Sequence, residues 1–440
     1  MGSVKKLLKT GLGASLFVPP TPTEFGRGAW EVGGTFSVGD LKEMIPPVTI
    51  KDKAQALTMQ TGAFFESLAQ TNPEIPTCYL GVLDRDGKLT TIRDLVDRGD
   101  TTNLIVMKLA HVPETFCDGD LRKYRDAISS EQLQCGVADV ESIFRKGFPL
   151  GSSTFEKIFK EMYGKEKGQE IYEKLATYPE TVEALEQIKD HITASGISTG
   201  LEKLLRKSHL DKIPNPGYVL NDIVYNSTSK FEIAGDRDLS PDEERKFSGL
   251  DDEGYKTWTQ EMFPKLARAQ VNFCANRGVL NIDGKDECVA YRRKPIVTDF
   301  ACTVDENRLM LILTEDAAIA DAQKLLAVKE EWAIPSNKEI QRAIFRQAGV
   351  YAAINEAKKN ATDDGRGDWW RDYMPAVLKH RNIDLQAVTE HSCNLMASAI
   401  GEVTNRLLGK KVFDAPPISS WAKDFLPYAS KVEYQGEVKA

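Results

Sequence analysis

At 440 residues the chain is long enough for two or three compact units with substantial cores. A composition that is 41% hydrophobic and 28% charged excludes disorder over the whole chain, and a net charge of −8 with a pI near 5.5 argues against bulk nucleic-acid binding while leaving room for small anions held by local Arg/Lys clusters. No run approaches the ~18 apolar residues of a membrane span, and seven cysteines without a C-x-x-C pair fit a reducing cytoplasm rather than a disulfide framework or a zinc site.

Residues 1–24 open with MGSVKKLLKTGLGASLFVPPTPT, which is basic and free of acids. Its apolar stretch, Gly11 to Val18, is short and lacks a small-x-small cleavage site, and Lys6 stands where a myristoylation motif needs Ser or Thr. We read it as a cytoplasmic N-terminal arm, with an organelle transit signal as the minor alternative. Residues 25–110 mix short apolar runs with the turn signals Gly33-Gly34, Pro46-Pro47 and Asp84–Gly87. This predicts an antiparallel-sheet lobe with one helix near 53–70 and a central strand at Leu104–Met107. Residues 111–440 are expected to form a larger α+β lobe. Within it, 155–210 is rich in Lys and Glu, with Phe155, Ile158, Phe159 and Met162 on one helical face and Val182, Leu185 and Ile188 on another, which predicts a helical insertion. Further helices are predicted over Thr257–Asn276, 317–332, 337–360 and 384–408, the last ending at Gly409 as its C-cap. The tail after about 412, with Pro416-Pro417, reads as an irregular strap.

The densest chemistry lies between Asp283 and Arg308. Asp283, Lys285 and Glu287 alternate, which on a strand places them on one face. Pro295–Ala301 reads as a second strand delivering Asp299 beside the first, and Asp305 and Arg308 follow. Carboxylates gathered with a lysine suit a Mg²⁺-nucleotide site, because Mg²⁺ is usually held by one or two carboxylates plus substrate phosphates. Taken alone, the same alternation is also the ordinary pattern of a solvated hairpin.

Further segments follow in a telling order: Phe36–Pro46 with Ser37 and Asp40, Gly62–Leu68, Ile75–Leu80, Val106–Leu109 with Lys108, Glu141–Arg145 then Gly151-Ser152-Ser153, Thr228–Glu232 with Lys230, Asp236–Asp238, and Ser336–Arg342. Together with the hairpin this array resembles the SAICAR synthetase family over roughly residues 25–410. The hairpin is similar to that family's D-x-K-x-E strand and its D-E-x-x-T-P-D-x-x-R segment. Gly39, Cys78, Phe300 and Val304 depart from the family pattern, and the fit is poor over the first 24 residues, 114–138 and 155–210.

The resemblance implies a two-lobed α+β fold with nucleotide in the cleft. It implies ATP-driven condensation of a carboxylated aminoimidazole ribotide (CAIR) with L-aspartate, giving SAICAR, ADP and phosphate. By the same resemblance, Glu287 and Asp299 would hold Mg²⁺, and Lys108, Asp283, Lys285 and Glu287 would serve the nucleotide. Ser37, Arg145, Ser152, Arg308 and Lys230 would bind substrate, the arginines matching phosphate oxygens bidentately. Asp40, Glu141 and Asp305 are the catalytic carboxylates it implies, orienting a cation or the attacking amine. Gly26-Arg27-Gly28 and Gly33-Gly34 could form a flap, although no P-loop pattern is present. Cys288 and Cys302 read as small buried apolar residues rather than nucleophiles, and none of the five histidines falls in a matched segment. Partners are small molecules, with neither nucleic acid nor membrane. Oligomeric state is left open, a homo-oligomer included. A phosphotransferase, a ligase for another substrate, and a non-catalytic nucleotide-binding relative stay as alternatives.

Overall fold

The computed structural model describes residues 26–31, 35–36, 48–50, 52–195, 205–210, 212–232, 237–313, 332–365 and 367–436. Its first strands are β1 (Gly26–Glu31), β2 (Thr35–Phe36), β3 (Val48–Thr49), β4 (Tyr79–Leu83), β5 (Leu89–Thr90) and β6 (Leu104–Leu109). Four of them form an antiparallel sheet in the order β1-β6-β4-β5. β6 is interior, as expected from its apolar run, and buries Ile105 and Met107 at alternate positions. The pair β2–β3 stands apart. Helix α1 (Lys53–Thr71) occupies the place predicted for it and buries Leu57, Phe64, Phe65 and Leu68.

The remaining strands are β7 (Cys135–Val137), β8 (Glu141–Phe148), β9 (Tyr218–Thr228), β10 (Val279–Tyr291), β11 (Lys294–Thr298), β12 (Asn307–Leu313), β13 (Trp332–Pro335), β14 (Ser430–Lys431) and β15 (Glu433–Tyr434). They make a mixed sheet in the order β14-β13-β12-β10-β8-β9-β15, with β7 and β11 also paired to β10. Only β15–β9 is parallel among these strand pairs. The five residues 430–434 thus touch both ends of the sheet order and close it on itself. Val219, Leu280, Ile282, Met310, Ala333 and Val432 pack as an apolar cluster between the closing strands. The architecture is α+β, as the sequence predicts.

Residues flanking β4 and β6 bond to the backbone of the second sheet. Cys78 N donates to Val297 O at 2.8 Å and Val297 N to Pro76 O at 3.0 Å, while Val137 N donates to His111 O at 2.8 Å. One large apolar cluster runs from Ile105 through Val289 to Val403, so both sheets rest on the same core.

Helices α2 (Leu121–Ser129), α3 (Ser153–Tyr163), α4 (Lys165–Lys174) and α5 (Tyr178–Ser195) follow. The last three carry the faces predicted for 155–210. Phe155, Ile158, Phe159, Leu185 and Ile188 join Leu220 and Val224 of β9 in a second apolar cluster.

The helix expected over Thr257–Asn276 is a π-helical stretch, Thr257–Met262, leading into α6 (Phe263–Ala275). The single helix expected over 337–360 is two, α7 (Lys338–Gln347) and α8 (Val350–Asp363). The break falls at Gly349, whose φ of +76° is incompatible with a continuing helix. α9 (Leu385–Leu408) ends at Gly409 in the left-handed conformation as predicted. The helix expected over 317–332 lies outside the described residues except for Trp332, which begins β13. The tail is not irregular: it holds α10 (Ile418–Phe425) and the two closing strands. Among the described residues no helix is long and apolar enough to cross a membrane.

Candidate functional site

Strand β10 is long because it serves two ladders. Its first half pairs with β12 and β8, and its second half with β11 and β7. In the first half Asp283 stands opposite Arg308 on one side and Arg145 on the other. One carboxylate oxygen takes both arginines: Asp283 Oδ2 accepts from Arg308 Nη1 at 2.7 Å and from Arg145 Nη1 at 3.3 Å. Two residues along, Lys285 Nζ donates to Glu141 Oε1 and lies 3.1 Å from Glu306 Oε2. Two residues further, Glu287 faces Lys230, whose Nζ donates to Glu287 Oε2 and lies 3.7 Å from Asp299 Oδ2. The alternation read from the sequence therefore produces three successive charged rows on one face of β10.

β11 ends at Thr298, opposite Glu287, so Asp299 is the first residue beyond the strand. It turns out with φ +66°, and its own Oδ1 accepts from Phe300 N at 2.8 Å.

The arginine end continues onto α3 and α7. Gly151 and Ser152 precede α3, and the buried Ser152 hydroxyl caps it by accepting from Thr154 N at 3.3 Å. Arg308 Nη2 donates to Gly151 O and to Glu339 Oε1, both at 3.2 Å. Arg342 Nη1 donates to the same Glu339 oxygen at 2.7 Å, and Arg346 Nη1 lies 3.9 Å from Oε2. Four guanidiniums thus share two buried carboxylates, which leaves a local excess of positive charge. Arg308 Nε is buried and makes no hydrogen bond among the described residues. A rigid fork in that setting suits a phosphate.

Burial and pairing set the titration of these groups. Burial opposes charge on Glu339, but Arg308, Arg342, Arg346 and Lys338 outweigh it and hold the carboxyl at about 2. Burial pushes Glu287 up to about 8 against the pull of Lys230, with Asp299 adding repulsion. Burial works against charge on Lys285 and Lys230 as well; the facing carboxylates prevail and hold both ammoniums above the usual lysine range. On the opposite face of β10, burial lifts Asp286 to about 7, and both its oxygens accept from Gln270 Nε2 at 2.8 and 2.7 Å.

No family model matches the chain. A protein of Archaeoglobus fulgidus named "Putative phosphoribosylaminoimidazole-succinocarboxamide synthase" is 26% identical over 422 residues, covering 95% of this chain and 96% of that one. The chain is a divergent relative of the SAICAR synthetases. Similar solved structures include a Saccharomyces cerevisiae SAICAR synthase complexed with SAICAR (11% identical, 88% of this chain and 91% of that chain, TM-score 0.43). A Pyrococcus horikoshii SAICAR synthetase (12%, 77% and 96%, TM-score 0.41) and a SAICAR synthetase in complex with ADP (12%, 77% and 96%, TM-score 0.39) are also similar.

In this SAICAR synthetase relative, Arg145, Arg308, Asp283 and Ser152 gather at one end of the β10 face, and Glu287 and Asp299 at the other. Lys230, expected at the substrate, lies with Glu287 and Asp299. Glu141 binds Lys285, whereas Asp305 turns toward α1 and pairs with Lys53 at 2.8 Å. Lys108 is on β6, and its backbone N–H donates to Cys78 O at 2.8 Å. The Cys78 thiol, pushed up to about 12 by burial, feels the charges of both Lys108 and Asp299. Cys288 and Cys302 are buried, and burial raises both thiols, which is unfavourable for nucleophiles. Ser37, Asp40, Asp236 and Gly33-Gly34 lie outside the described residues, while Gly26 and Gly28 belong to β1.

Among the described residues no three His, Cys, Asp or Glu are placed to hold a metal ion together. Glu287 and Asp299 supply two carboxylates converging on one cation, the Lys230 ammonium. A pair is the donor set that fits Mg²⁺ when phosphates complete its shell.

Sequence reasoning did not assign roles to Glu306, Glu339 or Arg346. The signal for the last two was present, since Glu339, Arg342 and Arg346 are spaced i, i+3, i+7 and share a helix face. For Glu306, beside Asp305 in a loop, no periodicity could indicate direction.

Proposed function

We propose that the protein is a carbon–nitrogen ligase that uses ATP and Mg²⁺ to join CAIR and L-aspartate, giving SAICAR, ADP and phosphate in purine biosynthesis. The observation that carries this reading is the meeting of Arg145, Asp283 and Arg308 across three adjacent strands, in a chain that is 26% identical, over 95% of its length, to a protein bearing the name of that enzyme as putative.

A carboxylate resists attack by an amine. Transfer of the ATP γ-phosphoryl group to the CAIR carboxylate makes an acyl phosphate, and the aspartate amine then displaces phosphate to form the amide. The protein's task is positioning and charge neutralisation. Arg145, Arg308 and Ser152 would receive the ribotide phosphate, with Asp283 and Glu339 aiming the guanidiniums. Lys230, Lys285 and Lys108 would serve the nucleotide. Glu287 and Asp299 would hold Mg²⁺, which when bound offsets polyphosphate charge. Glu141 orients Lys285, and Asp305 orients Lys53. Ser37 and Asp40, by the resemblance, would face the aspartate or the imidazole carboxylate.

The test is phosphate release from ATP·Mg²⁺ with CAIR, with and without L-aspartate, while the imidazole product is followed by absorbance or mass. Aspartate-dependent release with SAICAR formation is expected. Phosphate transferred to an acceptor without amide formation, or no turnover with these substrates, overturns the reading.

A further inference from the structure

Asp139 lies in none of the sequence motifs, yet it is a fully buried carboxylate. It sits between β7 and β8, two residues before Glu141. Its Oδ1 accepts two backbone N–H groups, from Lys230 at 3.2 Å and Phe231 at 3.0 Å. Its Oδ2 accepts from Arg125 Nε on α2. Arg125 in turn donates through Nη2 to Glu232 Oε1 at 2.8 Å and lies 3.8 Å over the Phe247 ring. The carboxylate and the guanidinium therefore grip three consecutive residues, the first two by main chain and the third by side chain. The Lys230 side chain leaves this grip to reach Glu287 and Asp299.

Two features separate this from ordinary packing. Burying a carboxylate and a guanidinium together stabilises a fold no better than an apolar pair of the same volume, so the gain lies in position. The gripped segment also follows the end of β9 at Thr228: an isolated antiparallel bridge from Thr228 to Asp238 and the Ser229 N–H donating to Arg237 O hold the residues just before it, and among the described residues no strand ladder reaches Lys230–Glu232. Without an anchor, a lysine stem with four rotatable bonds would spread its ammonium over many positions.

We propose that Asp139 is a positioning residue for Lys230, acting through the main chain of Lys230 and Phe231 without touching substrate. This rests on the reading of Glu287, Asp299 and Lys230 as the polyphosphate end of a nucleotide site.

The test compares full-length wild type, Asp139→Asn, Lys230→Met and the double variant in kcat, KM for ATP and thermal melting. The amide keeps the shape but cannot accept from Arg125 through its NH₂. Each single change should lower kcat/KM for ATP by roughly tenfold or more, and the double variant should be no worse than Lys230→Met, because residues acting as a unit are non-additive. An equal further loss from Asp139→Asn in the Lys230→Met background overturns the proposal. If Asp139→Asn unfolds at assay temperature, Arg125→Lys carries the same comparison, since it keeps the charge and loses the fork. If wild type binds ATP·Mg²⁺ but makes no SAICAR, the ligase reading falls and the same cycle is read on ATP·Mg²⁺ affinity. No ATP·Mg²⁺ binding, or an additive affinity cycle, overturns the positioning role.

Discussion

Asp299 adopts a φ of +66°, a conformation that most L-residues avoid and that Asp and Asn tolerate best. Its side chain is 41% exposed, so the fold gains little from its charge. Asp299→Asn should therefore leave the thermal melt nearly unchanged while lowering turnover by roughly a hundredfold or more, the scale for losing a group that organises transition-state charge. Surviving turnover would remove Asp299 from the metal pair. Gly151 makes the opposite case. A Cβ there would stand 1.9 Å from Glu339 Oε2, so Gly151→Ala must push Glu339 aside and take Arg308 and Arg342 with it. We expect KM for the phosphate-bearing substrate to rise by roughly tenfold, as loss of bidentate phosphate contacts would give, with a smaller effect on kcat. Steady-state kinetics with CAIR varied checks this. At this scale the sequence was legible wherever period-two alternation governs direction: Asp283, Lys285 and Glu287 share a face as read. It was not legible for Asp305 and Glu306, neighbours in a loop that turn to Lys53 and Lys285.

At the scale of elements, the loop between β11 and β12 carries Asp299, Asp305 and Glu306, and it is pinned from outside the sheet. Buried Gln60 on α1 donates to Thr404 Oγ1 of α9 at 2.7 Å and accepts from Val304 N at 3.1 Å. Gln60→Met keeps the volume and leaves the Val304 N–H without an acceptor, a cost of about 1–3 kcal/mol. Denaturant unfolding should show that loss, and kcat should fall with it because the loop holds the site carboxylates. Helix existence was readable from apolar periodicity in α3, α5 and α9. The division of 337–360 was not, because the apolar stripe continues across Gly349 and only backbone geometry ends the helix. The tail was misread because Pro416-Pro417 signals irregularity, whereas α10 begins directly after it and two short strands then find partners far away in sequence.

For the whole molecule, the arginine cage around Glu339 links the site to acid stability. Its folded carboxyl sits at about 2 against 4.5 ordinarily, so its stabilisation is complete above about 4.5 and is lost as pH falls from there toward 2. Two and a half pH units correspond to roughly 3 kcal/mol. Unfolding free energy measured between pH 6 and pH 3 should fall for wild type. For Glu339→Gln it should be lower at pH 6 and flatter on acidification. Equal slopes would mean that the cage does not govern acid stability.

The closed sheet has a consequence for how the polypeptide is made. Residues 430–434 join Trp332-Ala333 on one side and Tyr218-Val219 on the other. On a ribosome those neighbours emerge long before their partner, and β9 and β13 wait with unpaired edges until residues 430–434 are out. Such late, long-range pairing is slow, and exposed strand edges associate with other chains. Newly made protein is therefore vulnerable to aggregation in the interval before β14 and β15 arrive, and a chain cut short after Ala429 would stay in that state.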